Sequence, residues 1–194
     1  MKKTIQRRQS EVSISGRRWE IEVMEFLNGW FRTHNKSLEV ILGEKGLKKS
    51  HPVLWKKLAI PIKEGVFVEG DIDLVVVNNN DPDTPLAVVS CKTSLHGRFS
   101  ETLFYSVIWK EMIPNFIVVF ATPDKGRQAR KGKWESEWGT EEKPTKDRLL
   151  AERFINGVYI KNKRTFLGGK IKKIEELPVD LCKFLLKQEE LNDR

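Results

Sequence analysis

Two apolar runs in the middle of the chain, each with charged or polar residues at one end, constrain the fold most. "GDIDLVVV" places Asp71 and Asp73 just before the first run, and "LAVVSCK" places Ser90 and Lys92 at the end of the second. Valine-rich runs of this length predict strands, and the link "NNNDPDTP" between them is typical of a turn. Alternate residues of a strand share a face, so Asp71 and Asp73 belong together, as do Ser90 and Lys92. If the two strands pair through the turn, all four side chains meet at one end of a sheet.

The flanking segments alternate between helical and strand patterns. Apolar residues at helical spacing predict an amphipathic helix over residues 16–32, with Ser15 as its N-cap, and another helix over residues 95–112. "NFIVVFATP" has the continuous apolar character of a strand that is buried on both faces. A helix between the strands at 86–93 and 115–122 makes that pair parallel.

The remaining segments complete an α/β sandwich with a mixed sheet. They are predicted to form a short helix near residues 53–58, a strand in "GVFVEG", a helix at "PTKDRLLAERFI", late strands in "GVYIKN" and "TFLGGKIKKI", and a closing helix in "LPVDLCKFLLKQEEL".

Length and composition fit one globular domain over residues 1–194. The chain is 39% hydrophobic and 32% charged, and its net charge of +8 makes a polyanion a plausible partner. Two cysteines fit a reducing compartment, and no apolar run approaches the length of a membrane span, so we expect a cytoplasmic protein with no membrane partner. The basic start "MKKTIQRRQSEVS" is either an arm that touches phosphates or a frayed end.

The acids and the lysine at the strand ends have two physical interpretations. Unpaired buried carboxylates cost several kcal/mol each, so the cluster must hold a cation or pair internally. Carboxylate and backbone carbonyl oxygens are the ligands that Mg²⁺ prefers, and a neighbouring lysine could orient or deprotonate a water, or stabilise a phosphate. The alternative is a buried salt bridge between Asp73 and Lys92 with only a structural role.

"GDIDLVVV…AVVSCK" resembles the motif of the PD-(D/E)xK nucleases, an acid at a strand start followed by an acid-x-Lys on the next strand. The resemblance implies a restriction-endonuclease-like sandwich, with a central mixed β-sheet flanked by helices and a core over about residues 16–122. It implies that Asp73 is the metal-binding acid, Asp71 a supporting acid, Lys92 the motif lysine, and the carbonyl of Cys91 a metal ligand. The implied cofactor is Mg²⁺.

One motif position departs from the family pattern, because Ser90 stands where Glu or Asp is usual. The departure resembles a subset of restriction endonucleases that cut CC- and GG-containing sites and take a glutamate from the following helix. "CKTSLHGRFSET" is similar to those enzymes, with Arg98 on their pattern, but their acid falls about where Tyr105 stands. Glu101, one turn earlier, is one candidate catalytic and metal-binding acid, and Glu20 on the first helix is the other candidate catalytic acid.

The segment 124–146 is polar, basic and too long for a simple connector. A basic loop with aromatic residues suits DNA, through phosphate and base contacts, and the alternative is a solvated loop with tryptophans packed on the body. The candidate DNA-binding residues, together with Arg98, are Arg127, Arg130, Lys131, Lys133 and Trp134.

Together these features indicate a Mg²⁺-dependent type II restriction endonuclease that hydrolyses double-stranded DNA at specific sequences. A cut through both strands requires two active sites, so a homodimer is the expected form, although a subunit of a heterodimer would look the same. The alternatives are another nuclease of this fold, such as a junction resolvase or repair nuclease, and a DNA-binding module that has lost catalysis.

Overall fold

The structure is a computed structural model that describes residues 2–43, 46–95, 98–128 and 133–192, with side chains over residues 14–43, 46–95, 98–127 and 133–188. The helices are α1 (Lys2–His34), α2 (Leu47–Ser50), α3 (Pro52–Leu58), α4 (Arg98–Met112), α5 (Lys146–Phe154) and α6 (Leu177–Asn192). A short 3-10 helix at Ile174–Glu176 leads into α6.

A six-stranded mixed sheet forms the centre of the molecule. Its strands are β1 (Leu38–Leu42), β4 (Leu74–Asn78), β5 (Asp81–Cys91), β6 (Ile117–Thr122), β9 (Gly157–Ile160) and β10 (Ile171–Lys173), in that spatial order. Two small hairpins lie outside it, one made of β2 (Ile60–Lys63) and β3 (Val66–Val68) and the other of β7 (Arg127–Gln128) and β8 (Trp134–Glu135).

The predicted pairings around the two apolar runs are confirmed. Strand β4 pairs antiparallel with both β1 and β5, whereas β5, β6, β9 and β10 run parallel. In particular, β5 and β6 pair in parallel from Ala87 opposite Ile117 to Cys91 opposite Ala121, with α4 as the crossover. The predicted α/β class with a central mixed sheet is therefore correct, and the two late strands extend the same sheet.

Helices cover both faces of the sheet and divide the strand residues between them. Leu74, Val76, Ala87 and Val89 pack with α1 and α6 on one face. The alternate positions of these strands pack with α2, α3 and α4 on the other face. A third cluster joins the start of α4 to α5, β9 and β10. Burial on both faces explains why these strands are apolar without alternation.

Two boundaries differ from the sequence prediction. Helix α1 begins at Lys2, so Ser15 lies inside it and is not an N-cap. No proline interrupts the preceding residues, so the helix has no reason to stop at residue 16. The side chains of residues 1–13 lie outside the described residues. The predicted phosphate contacts of the basic start fall on these residues. Strand β5 begins at Asp81, so the turn shrinks to Asn79 and Asn80, with shifts in register beside it.

No helix among the described residues is long and apolar enough to cross a membrane.

Candidate active site

The four polar side chains of the two apolar runs lie at one edge of the sheet, where β4 begins and β5 ends. Leu74 stands opposite Val89, so Asp73 precedes β4 next to the end of β5. The chain before β4 is fixed from the other side, because Gly43 N donates a hydrogen bond to the Asp73 carbonyl at 2.8 Å. A Cβ at Gly43 would stand 2.4 Å from the carbonyl oxygen of Ile72, so only glycine allows this approach.

Lys92 and Asp73 form the centre of the site. The Lys92 Nζ lies 2.8 Å from Asp73 Oδ2 and 3.0 Å from Oδ1, and both side chains are buried. Asp73 Oδ2 also accepts a hydrogen bond from Cys91 N at 2.7 Å. Burial nevertheless raises the pKa of Asp73 to about 6, against the lowering effect of Lys92. Burial acts to lower the pKa of Lys92, but Asp73 and Asp71 outweigh it, so that pKa is raised and the group is an ammonium.

Asp71 supplies the second carboxylate of the site. Its Oδ2 lies 2.6 Å from Lys92 Nζ, so one ammonium stands between two carboxylates. That oxygen is buried and has no aligned hydrogen-bond donor, although the ion-pair distance is short. Two carboxylates facing one ammonium leave an excess of negative charge at the sheet edge.

The donors at this edge fit a hard divalent cation. Carboxylate oxygens such as those of Asp71 and Asp73 are the ligands that Mg²⁺ prefers, and these two carboxylates share a single ammonium. Among the described side chains, no three His, Cys, Asp or Glu residues form a ready-made metal cluster. The described residues of the site therefore offer two acids at the strand ends.

Ser90 is buried and stands between Asp73 and helix α4. Its Oγ donates to Asp73 Oδ2 at 3.2 Å and lies 2.8 Å from the hydroxyl oxygen of Thr102. Both hydroxyl residues are almost fully buried, at 1% and 2% exposure. The residue of α4 that touches the motif serine is thus Thr102, which the sequence analysis did not single out.

The two candidate replacement acids have different surroundings. Glu20 is half-buried, pairs with Arg17 at 3.2 Å, and follows Trp19, whose Nε1 donates to the carbonyl of Ala121 at the end of β6. Its charge reaches the site, because burial, Asp73 and then Glu20 raise the pKa of the Cys91 thiol.

Glu101 is exposed on α4, next in sequence to the buried Thr102. Burial, followed by the charges of Glu101 and Asp71, raises the pKa of Tyr105, so both acids lie within electrostatic range of that tyrosine. Arg98, at the start of the same helix, is exposed. Glu20 therefore lies within electrostatic range of Cys91, and the exposed Glu101 within range of Tyr105.

The basic segment after β6 is held in place by a buried carboxylate. Asp124 Oδ2 accepts from Ser136 Oγ at 2.6 Å and Thr165 Oγ1 at 2.5 Å, and Oδ1 accepts from the backbone N–H groups of Gly126 and Glu137 at 3.1 Å. These contacts place the loop beside the strand end that carries the site. Sequence reasoning missed Asp124 as an anchor, although "TPDKG" has the composition of an Asx turn.

Three of the candidate DNA-binding residues on this loop are described. Arg127 is exposed and pairs loosely with Glu135 at 3.5 Å, and Lys133 is exposed. Trp134 is half-buried, and its Nε1 donates to the carbonyl of Lys125 at 2.9 Å. Arg130 and Lys131 lie outside the described residues.

The other tryptophan of the loop belongs to the core. Trp138 is fully buried and makes edge contacts with the rings of Phe99 and Phe120, at centroid distances of 5.2 and 5.8 Å. The alternative in which the tryptophans pack on the body is thus correct for Trp138.

Comparison with known proteins agrees with this geometry. The structure titled "Crystal structure of specific restriction endonuclease AgeI-DNA complex" is similar, with a TM-score of 0.66 and 17% identity, over 89% of this chain and 69% of that chain. No curated protein matches the chain. The likeness shows the fold, which is that of a restriction endonuclease.

A family model described as "BsaWI restriction endonuclease type 2" matches residues 45–180, well over half of the chain. The protein belongs to this family. The match includes Asp71, Asp73, Ser90 and Lys92, whereas Glu20 lies before it. The resemblance inferred from the motif is confirmed at the level of family and fold.

Proposed function

We propose that the protein is a Mg²⁺-dependent endonuclease that hydrolyses both strands of DNA at a specific sequence. The family supports the nuclease class, and the observation that carries the chemistry is the cluster of Asp71, Asp73 and Lys92 at one sheet edge. Surface ion pairs are common in proteins, but a buried ammonium between two carboxylates at strand ends is expensive to build. A role in hydrolysis accounts for the presence of this unfavourable arrangement.

In this proposal, Asp71, Asp73 and the carbonyl of Cys91 hold the cation. A bound Mg²⁺ supplies Lewis-acid polarisation of the phosphate and of a water molecule. Ser90 contributes no carboxylate, so a fourth oxygen ligand comes from Glu20 or Glu101.

Lys92 acts in this proposal as an ammonium. Its Nζ is held by Asp71 and Asp73 at 2.6 and 2.8 Å, an arrangement that keeps the amine protonated. A charged group of this kind orients the attacking water by hydrogen bonding and stabilises the negative charge that develops on the phosphate. Of the roles that the sequence left open, deprotonation of the water is therefore the least favoured.

DNA is proposed to lie across the edge of the sheet that carries the site. In this proposal the positive charge that meets the DNA comes from the exposed Arg98 at the start of α4 and from the exposed Arg127 and Lys133 on the basic loop. Arginine can read guanine with two hydrogen bonds, whereas lysine mainly contacts phosphates. Two copies of the chain are proposed to place two such sites on a palindromic sequence.

A cleavage assay on phage DNA tests the proposal. Wild-type protein with Mg²⁺ should give a defined ladder of fragments, and the same protein with a chelator should give none. Asp73→Asn, which keeps the side-chain shape but removes the charge, should cut at least about 1,000-fold more slowly and still bind DNA.

Other outcomes of this assay overturn parts of the proposal. Random degradation or structure-dependent nicking would indicate another nuclease of this fold, such as a junction resolvase or a repair enzyme. DNA binding without any cleavage would indicate a module that has lost catalysis. Undiminished cleavage by a folded Asp73→Asn protein would show that the site lies elsewhere.

A further inference from the structure

We infer that Thr102 is a positioning residue for Asp73, acting through Ser90. The inference rests on the proposed function, and no similarity to a known protein assigns this threonine a role. It starts from the three side chains that lie in a row beneath the site. Thr102 Oγ1 is 2.8 Å from Ser90 Oγ, which is 3.2 Å from Asp73 Oδ2.

The chemistry of the three groups fixes the direction of the hydrogen bonds. An ionised carboxylate only accepts, so Ser90 donates its single proton to Asp73. The hydroxyl of Thr102 must then donate to Ser90 Oγ. Its other possible acceptor, the carbonyl of Arg98, is farther away at 3.4 Å. The result is a directed chain from Thr102 to Ser90 to Asp73, in which each bond polarises the next.

This chain explains how the site functions with serine at the motif position. Ser90 gives no charged ligand, but it holds one oxygen of Asp73 while Cys91 N and Lys92 Nζ hold the same carboxylate from other directions. A carboxylate fixed by several donors keeps the orientation that a cation needs, and such supporting contacts tune metal sites. Thr102 prevents Ser90 from rotating away, because it gives the serine oxygen a buried partner.

Helix α4 offers a control at the next turn of the same buried face. Ser106 is also fully buried and also uses its hydroxyl in one hydrogen bond, to the carbonyl of Phe154 at 3.0 Å. That bond joins α4 to the end of α5 and does not touch the site. Removal of a buried hydroxyl at either position should therefore lower stability similarly, whereas only Thr102 should affect Asp73.

The test compares Thr102→Val, which is nearly isosteric, with Thr102→Ser and Ser106→Ala in the full chain. For each protein, the single-turnover cleavage rate, the DNA dissociation constant and the Mg²⁺-induced shift in melting temperature are measured. We expect Thr102→Val to cut about 10- to 100-fold more slowly and to need more Mg²⁺, with DNA affinity changed less than about twofold. Thr102→Ser should restore the wild-type rate and Mg²⁺ requirement, and Ser106→Ala should leave both unchanged.

Two results overturn the inference. One is a Thr102→Val protein that cleaves and responds to Mg²⁺ like the wild type, and the other is a Ser106→Ala protein that is equally slow. The Mg²⁺-induced shift separates this inference from the proposed function. If the wild type binds Mg²⁺ but does not cut DNA, the proposed function is wrong, and the Mg²⁺-induced shift in melting temperature still tests the role of Thr102. If the wild type does not bind Mg²⁺, both the proposed function and this inference are wrong.

Discussion

Burial destabilises the ionised form of the Asp73 carboxylate more than the neighbouring groups stabilise it. Three donors, Cys91 N, Ser90 Oγ and Lys92 Nζ, surround it, yet its pKa is raised to about 6. The nearby charge of Asp71 contributes to this rise. Two carboxylates share one ammonium at this edge, and a cation placed there relieves a cost that the folded chain already bears.

Replacement of Lys92 by methionine tests this charge balance directly. The variant leaves Asp71 and Asp73 facing each other without a counter-ion, so we expect the free energy of unfolding to fall by about 3 kcal/mol. The folded pKa of Asp73 then lies even farther above its unfolded value. The penalty is therefore full above that pKa, shrinks as pH falls through it, and is lost only below about 4, where Asp73 becomes protonated in both states.

Denaturant unfolding of Lys92→Met and wild type at pH 5 and pH 8, with and without Mg²⁺, measures these effects. The decrease in stability should be smaller at pH 5, and Mg²⁺ should stabilise the variant more than the wild type. Lys92→Arg should restore stability but not cleavage, because a planar fork does not replace a compact ammonium. Equal decreases at both pH values would show that the two acids carry little charge in the folded state.

At the scale of single elements, α4 shows what sequence reasoning could reach and what it overlooked. A catalytic role for Lys92, just before this helix, was implied by the resemblance and stays a prediction, whereas the helix itself was predicted from its apolar spacing. Its buried residues are Phe99, Thr102, Ser106 and Trp109, a helical spacing in which two members are polar. Hydroxyls on a buried stripe need partners, so this pattern was the available signal for Thr102. The partner itself depends on how α4 crosses β5, which periodicity does not encode.

The two helices that offer a replacement acid make opposite predictions. Glu20 on α1 acts on the pKa of Cys91, whereas Glu101 on α4 is exposed beside the buried Thr102. These surroundings favour Glu20, so Glu20→Gln should slow cleavage about 10- to 100-fold and raise the Mg²⁺ requirement, with Glu101→Gln doing less. Mg²⁺ titrations of the cleavage rate compare them.

If Glu101→Gln has the larger effect, the ligand is Glu101, on the helix that supplies it in the enzymes that the motif resembles. If the cleavage rates of both variants depend on Mg²⁺ concentration as the wild-type rate does, Asp71 and Asp73 hold the cation without either glutamate. Arg17→Gln serves as a control for Glu20, since removing the ion pair with Glu20 alone should not raise the Mg²⁺ requirement.

The loop after β6 is the second element with a functional prediction. Arg127→Ala and Lys133→Ala remove exposed charges at the site edge, so DNA binding should weaken, and the salt slope should fall by about one for each phosphate that the loop no longer neutralises. Lys36→Ala is the matched control, because this exposed lysine precedes β1 at the opposite edge of the sheet. If the salt dependence of DNA binding is unchanged in both loop variants, the loop is a solvated segment that does not contact phosphates.

Element boundaries were predicted less well than element types, and the reasons are physical. The start of α1 was placed too late because Ser15 has the side chain of an N-cap, but a serine caps only where the helix actually begins. The link before β5 contains turn residues, yet Asp81 and the following residues pair with β4 through irregular register. Asp124 was missed because its role depends on Thr165, a residue far away in sequence.

At the scale of the whole molecule, the C-terminal third completes the sheet that carries the site. Strands β9 and β10 extend it beyond β6, and α6 packs with α1 across one face. The Tyr159 hydroxyl donates to Asp180 at 3.0 Å, which also pairs with Lys172 at 2.6 Å, so β9, β10 and α6 are joined by one polar cluster. These elements support β6 from the side opposite to β5, and β6 in turn carries the carbonyl that anchors Trp19 of α1.

A single chain of this size has one cluster of Asp71, Asp73 and Lys92, and therefore one proposed site. Cutting both strands of a duplex in one binding event then requires two copies, and a palindromic sequence presents the same surface to each.

Mixing wild-type and inactive subunits tests this requirement. Wild type and Asp73→Asn, co-unfolded and refolded at equal amounts, should give about half mixed dimers if subunits assort at random. A mixed dimer has one competent site, so supercoiled plasmid should accumulate as the nicked circle, while the roughly one quarter of wild-type dimers gives some linear form from the start. Wild type alone, treated in the same way, should pass directly to the linear form. If the mixture instead linearises plasmid at half the wild-type rate with no nicked excess, each chain cuts both strands by itself, and the dimer is not part of the mechanism.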